Sequence, residues 1–374
     1  MGRLNELESL GQAVWLDFID REFIARGDLA RLVDEDGVTG VTSNPSIFEK
    51  AIGQGEAYDR SLAVYEQAHP SASAMERYEA LAIEDLRAAA DILRPAFDRL
   101  HGKDGFVSME VSPYLADDTD GTIAEAKRLW QQLDRPNAMI KIPGTPAGTP
   151  AIAASIADGI NINITLLFGL EAYKQVALAH AAGLEERLRR GQPIDRIASV
   201  ASFFVSRIDS AIDKEIDRRV ESGDPESDAL AALRGKVAIA NAQMAYQWYL
   251  DFIESGRWKA LAGAGAMPQR LLWASTSTKD PAYPETLYVD ALIGRDTVNT
   301  IPPKTLDAFR DHGTVEETLT RDVDGARHVL DETDRLHLNL GEVTDRLIGE
   351  GVSAFAKSFD ALFAAINRKH AAVA

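Results

Sequence analysis

An α/β fold, and within that class a (β/α)8 TIM barrel with additional helices, is what this sequence predicts. Three observations carry the prediction. Short apolar runs rich in β-formers recur eight times, amphipathic stretches with helical spacing fall between them, and polar residues recur near the ends of the runs, in phase with one another. Strands that alternate with helices make a parallel sheet with helical crossovers. Eight such units in 374 residues fit a closed barrel, a fold that runs from about 200 to more than about 400 residues when it carries insertions. An open doubly wound sheet is the competing architecture, but no G-x-G-x-x-G turn follows the first run.

In order, AVWLD (13–17) ends on Asp17, in phase with Trp15. GVTGVTSNP (37–45) sets Thr42 and Asn44 on one face and Val41 on the other. GFVSMEVS (105–112) opposes Ser108 and Glu110 to Val107, Met109 and Val111. NAMIKIP (137–143) puts Lys141 in phase with Met139, Ile140 and Ile142 opposite, and Pro143 and Gly144 stop it. INITLLF (162–168) gives Asn161, Asn163 and Thr165 one face and Ile162, Ile164 and Leu166 the other. IASVASFF (197–204) offers Ser202, RLLWAST (270–276) offers Ser275, and TVNTI (297–301) completes the set. Helical spacing marks 123–133, 170–190 and 236–255.

The expected organisation is one barrel domain over 1–374, with helical insertions at about 45–105 and 205–269 and C-terminal helices over about 314–374. In the last helix Val352, Phe355, Phe359, Leu362, Phe363 and Ile366 form a stripe. Packing against the barrel is its plain reading; a dimer contact or a flap over the site are the others. ESGDPESD (221–228), rich in turn formers, is expected to be the most mobile loop.

A net charge of −18 argues against nucleic-acid or anionic-membrane binding. An anionic substrate would need local cations. There is no cysteine, hence no disulfide, thiolate metal site or thiol nucleophile, which suits a reducing cytoplasm. The N-terminal residues lack a signal-peptide pattern, and no stretch reaches the roughly 18 apolar residues that span a membrane. The seven histidines show no metal-ligand spacing.

Taken singly, each polar strand residue has an ordinary explanation. A strand lysine snorkels at an edge, an aspartate after a strand caps a helix, and alternating Asn and Thr mark one wet face of an antiparallel sheet. Those explanations do not account for recurrence on most strands of a βα pattern, where both sheet faces are covered. A barrel would gather a lysine, two carboxylates, two asparagines and several hydroxyls at the C-terminal mouth, where such folds place their sites. A lysine amine attacks a carbonyl to give an imine, an electron sink for C–C cleavage. Carboxylates move the accompanying protons. The amine must be neutral to attack; burial favours that form and carboxylates oppose it.

GVTSNPSIF (40–48), IKIPGTPAG (140–148), GININITLLF (159–168), WASTSTKDPAY (273–283) and VNTIPPKTLDAFRDHG (298–313) together resemble the transaldolase family, from Trp15 to about His312, and its longer bacterial branch most closely. The resemblance implies a class I aldolase-type barrel. It also implies transfer of a dihydroxyacetone unit in the pentose phosphate pathway, from sedoheptulose 7-phosphate to glyceraldehyde 3-phosphate, giving erythrose 4-phosphate and fructose 6-phosphate. No cofactor and no metal are implied. The partners are sugar phosphates, with no nucleic acid and no membrane, and the expected state is a cytoplasmic monomer or homodimer. By resemblance, Lys141 is the Schiff-base lysine, Asp17 the acid/base at the C4 hydroxyl, and Glu110 acts through a water held by Thr165. Asn44 and Asn163 hold hydroxyls of the three-carbon unit, and Ser202, Arg207 and Ser275 bind phosphate. Ser277 stands where many members have a second arginine. Lys279 is the candidate to supply that charge, or is a solvated loop lysine. Two other functions compete: a fructose-6-phosphate aldolase-type lyase that releases dihydroxyacetone, and a non-catalytic sugar-phosphate-binding barrel. The small lyases are shorter and generally lack the glutamate, and a binder has no need of an imine nucleophile.

Overall fold

The computed structural model describes residues 2–373, apart from the side chains of Gln54 and of residues 370–373. Eight strands close a barrel in chain order: β1 (Gln12–Leu16), β2 (Val38–Val41), β3 (Phe106–Glu110), β4 (Ala138–Pro143), β5 (Ile162–Leu167), β6 (Ser199–Phe204), β7 (Arg270–Ala274) and β8 (Thr297–Ile301). All neighbours are parallel, and β8 pairs back onto β1.

Ahead of β1 stands α1 (Arg3–Ser9); α2 (Arg21–Ala25) and α3 (Asp28–Asp36) link β1 to β2. The long gap after β2 holds α4 (Pro45–Gln54), α5 (Asp59–Ala68) and α6 (Ala74–Arg99). A 3-10 turn (Pro113–Leu115) and α7 (Thr119–Leu133) follow β3, α8 (Gly148–Ala157) follows β4, and α9 (Leu170–Arg189) follows β5. The second long gap holds α10 (Ser206–Glu221), α11 (Ser227–Ala231), α12 (Val237–Ile253) and α13 (Gly256–Gly263). Before β8 comes α14 (Leu287–Ala291), and α15 (Pro303–His312), α16 (Val323–Arg335) and α17 (Leu340–Val373) end the chain. The helix expected over 123–133 begins earlier, at Thr119, because its first turn is set by a cap rather than by apolar spacing: the Asp118 side chain accepts from Gly121 N.

Register fixes which residues face the axis. Glu110 lies opposite Lys141, Lys141 opposite Asn163, Asn163 opposite Val200, and Ser202 opposite Leu272. Leu272 lies opposite Val298, and Thr300 opposite Trp15. Paired positions in a parallel ladder share a face, so one polar set lines the upper barrel. Beneath it Trp15, Met139, Val200, Leu272 and Val298 are each 0% exposed. Such fully buried apolar side chains contribute about 1.5–3 kcal/mol apiece by leaving water. The Trp15 indole lies on Gly40, where a Cβ would come within 2.4 Å of the ring. Its Nε1 donates to Asp104 Oδ1 (2.7 Å), and Arg270 pairs with the other oxygen (3.1 Å). Tryptophan, aspartate and arginine thus close the barrel floor.

The α17 stripe packs inward, with Phe355, Phe359, Leu362 and Ile366 buried and Val352 and Phe363 partly so. Phe359 meets Tyr78 of α6 edge-on (5.4 Å), the Ser358 hydroxyl meets that of Ser46 in α4 (2.7 Å), and Tyr114 donates to Asp360. Gly351 lets α17 approach the end of β5, since a Cβ there would be 2.7 Å from Leu166 Cδ2. The helix therefore touches segments that follow β2 and β3 and the end of β5, all on the C-terminal face. The turn-rich stretch 221–228 is tied down: Arg219 pairs with Asp224 (2.8 Å) and also donates to Leu336 O.

Candidate active site

Ile140 and Ile142 of β4 are both fully buried under the helices, so the alternating partner, Lys141, faces the axis. The lysine is 5% exposed. Its Nζ donates to the Ser43 carbonyl oxygen (2.9 Å) and stands 3.3 Å from Glu110 Oε2. Glu110 ends β3 directly across the ladder. Burial pushes its carboxyl up from the ordinary value, Lys141 opposes that, and the charge of Asp17 adds to it.

Asp17 follows β1 by one residue and accepts from Thr42 Oγ1 (2.8 Å). Thr42 also meets Thr300 Oγ1 at 2.7 Å. With the Thr42 proton given to Asp17, Thr300 is the donor in that second bond. Burial raises the Asp17 pKa; the Thr42 bond and the charges of Lys141, Arg207 and Lys279 pull it back. A carboxyl whose pKa is raised is better suited to carrying a proton in both directions.

Asn163 is held at both ends of its amide, with Nδ2 donating to Ser108 Oγ (3.0 Å) and Oδ1 accepting from Ser202 (2.7 Å). Ser202 is buried and spends its hydroxyl proton on Asn163, which leaves its oxygen free to accept. Thr165 is 0% exposed and its hydroxyl has no hydrogen-bond partner among the described residues. Asn44 lies past the end of β2 and caps α4, its Oδ1 accepting from Ile47 N (3.0 Å).

At the rim, Arg207 sits in the first turn of α10 over the Phe204 ring (5.1 Å). Burial lowers its pKa and Asp17 opposes this. Ser275 follows β7 with φ 56°, and its hydroxyl meets that of Ser206 at 2.9 Å. Lys279 donates to Ser277 Oγ (2.7 Å). Desolvation and the nearby Arg207 charge lower the Lys279 pKa, and Asp17 opposes them. Asp17 thus feels both the barrel lysine and the rim cations. Among the described residues no group of three or more His, Cys, Asp or Glu is placed to hold a metal ion, and no helix is long and apolar enough to cross a membrane.

A family model described as transaldolase/fructose-6-phosphate aldolase matches residues 14–366. The chain belongs to this family. It is 49% identical over 367 residues to a transaldolase of Parafrankia sp. (strain EAN1pec), covering 98% of this chain and 97% of that one. It is 46% identical over 370 residues to a transaldolase of Trichodesmium erythraeum (strain IMS101), with 98% and 97% covered. To a transaldolase of Thermobifida fusca (strain YX) it is 47% identical over 373 residues, with 99% and 98% covered.

Three participants were not singled out from the sequence. Thr300 was visible as the polar residue near the end of the eighth run, and Ser206 sits inside SFFVSR. The Ser43 carbonyl that accepts a hydrogen bond from Lys141 is a backbone atom and has no residue-type signal.

Proposed function

We propose that the protein is a transaldolase that carries a dihydroxyacetone unit from sedoheptulose 7-phosphate to glyceraldehyde 3-phosphate, giving erythrose 4-phosphate and fructose 6-phosphate. The observation that carries this reading is the Lys141 amine inside the barrel, 3.3 Å from Glu110, in a chain of the transaldolase family.

The amine attacks the C2 carbonyl of the ketose. Glu110 takes up the ammonium proton and, through a water at the Thr165 hydroxyl, returns protons to the departing oxygen as the carbinolamine loses water. Asp17 removes the C4 hydroxyl proton, the C3–C4 bond breaks, and its electron pair moves into the iminium to give an enamine. The aldehyde product leaves. The enamine carbon then attacks the acceptor aldehyde, Asp17 returns its proton to the new alkoxide, and hydrolysis frees Lys141. Asn44 and Asn163 hold the hydroxyls of the three-carbon unit. The serines that pin the Asn163 amide fix which end offers a donor. Arg207, Ser275 and Lys279 take the phosphate, a guanidinium matching its oxygens in a planar fork. A cytoplasmic site of action and a monomeric or homodimeric state complete the reading.

The test is borohydride reduction in the presence of fructose 6-phosphate. The intact protein should gain a reduced three-carbon adduct, and Lys141→Ala should gain none. An adduct that persists in Lys141→Ala, or its absence from the wild type, refutes the imine assignment. Free dihydroxyacetone released at the turnover rate without an acceptor aldehyde would identify a lyase instead.

A further inference from the structure

Two buried acids on α10 take no part in the chemistry above. Asp209 and Asp213 lie one turn apart on one helix face and are 1% and 6% exposed. Each accepts one backbone N–H and one tyrosine hydroxyl. Asp209 takes Ala238 N (2.8 Å) and Tyr288 Oη (3.0 Å); Asp213 takes Gly235 N (3.2 Å) and Tyr283 Oη (2.8 Å). Tyr283 belongs to the segment between β7 and α14 that carries Lys279, and Tyr288 to α14 itself. The same segment starts at Ser275, whose carbonyl accepts from Ser206 N (3.1 Å) in the first turn of α10. It is therefore fastened to α10 at its start, near its end and just beyond it. Gly235, at φ 67°, gives Tyr283 its seat, because a Cβ there would be 2.9 Å from the ring.

The fastening also disposes of a competing charge. Asp280 follows Lys279 directly and would be its natural ion partner. Its carboxylate is instead taken by Arg234 (2.7 Å) and by Ala282 N (2.9 Å). Lys279 is left with the neutral Ser277 hydroxyl. In a chain of net charge −18, neither Lys279 nor Arg207 has a carboxylate within ion-pairing distance among the described residues. Two neighbouring cations without a counter-ion repel each other, and a phosphate dianion placed between them removes that cost.

We infer that Asp213, Tyr283 and Arg234 are positioning residues for phosphate recognition: they hold the Lys279 segment on α10, with Asp280 turned away, so that Lys279 stands beside Arg207 as the second phosphate cation. This inference rests on the rim being the phosphate site of the proposed transaldolase. It explains how the chain works without an arginine at Ser277.

Tyr283→Phe keeps the ring on Gly235 and removes the bond to Asp213. With fructose 6-phosphate as donor, kcat/KM should fall about fivefold to tenfold through KM, the size of one ordinary net hydrogen bond. Both kcat and the kcat/KM for unphosphorylated fructose should stay within about twofold. In a Lys279→Ala background Tyr283→Phe should cause no further change. Asp213→Asn, which can keep both contacts, should retain the wild-type preference for the phosphorylated donor. Equal losses with fructose, or an undiminished loss in the Lys279→Ala background, overturn the inference. Arg207→Ala separates the two levels. If it leaves the preference for the phosphorylated donor intact, the phosphate reading falls and the inference with it. If it abolishes that preference while Tyr283→Phe changes nothing, only the positioning role is overturned.

Discussion

His180 offers a test in which the size of the effect comes from the structure. It lies in α9, 1% exposed, with the Trp258 indole stacked on it at 5.9 Å and neither ring nitrogen hydrogen-bonded among the described residues. Burial pushes its pKa down to about 3 from 6.5. Below pH 6.5 the unfolded chain binds a proton that the folded chain refuses until about pH 3, so stability falls as pH drops through that window. At pH 5 this one group costs the folded state about 2 kcal/mol, and the full pKa difference is worth about 5 kcal/mol at lower pH. His180→Leu removes the titration. Urea unfolding of both proteins at pH 7.5 and pH 5 should show the wild type losing about 2 kcal/mol more than the variant between the two values. Comparing the loss within each protein cancels the change in packing. Equal losses would show that the imidazole is not held neutral in the folded chain.

Asp17→Ala should still give the borohydride adduct while turnover drops about 10²–10⁴-fold; normal turnover would remove Asp17 from the proton transfers. Arg207→Lys, which keeps the charge and loses the planar fork, should fall between wild type and Arg207→Ala in KM for fructose 6-phosphate, with unphosphorylated sugars unaffected. Gly40→Ala sets a methyl group 2.4 Å from the Trp15 ring and should lower stability by about 1–3 kcal/mol in denaturant titration. Burial pushes Asp209 up to about 7, so the folded chain holds a proton there that the unfolded chain has released, and stability falls as pH rises from about 4 through 7. Asp209→Asn should flatten that slope, measured from unfolding midpoints at pH 5 and pH 8.

Period-two alternation was enough to place Glu110, Lys141 and Asn163 on one wall, because a side chain's face follows from its position in a strand. Alternation stops where a strand does. Asn44 and Ser275 lie past the ends of β2 and β7, where a helix cap and a left-handed φ set direction instead. Ser202 is assigned to the phosphate by resemblance to the family, and alternation alone does not tell that its hydroxyl donates to Asn163 on the neighbouring strand. The Thr42–Thr300 contact joins residues 258 positions apart, and only barrel closure brings them together. The stacking of α17 on α4 and α6 is likewise a long-range contact; its stripe said that one face was buried but not against what.

Consider again the floor made by Trp15, Asp104 and Arg270. In the proposed reaction, traffic to and from the nitrogen runs through the opposite mouth, where the polar residues lie. The departing aldehyde and the incoming acceptor would share that mouth. The proposed covalent reaction predicts substituted-enzyme kinetics, with reciprocal plots that run parallel for any pair of substrates.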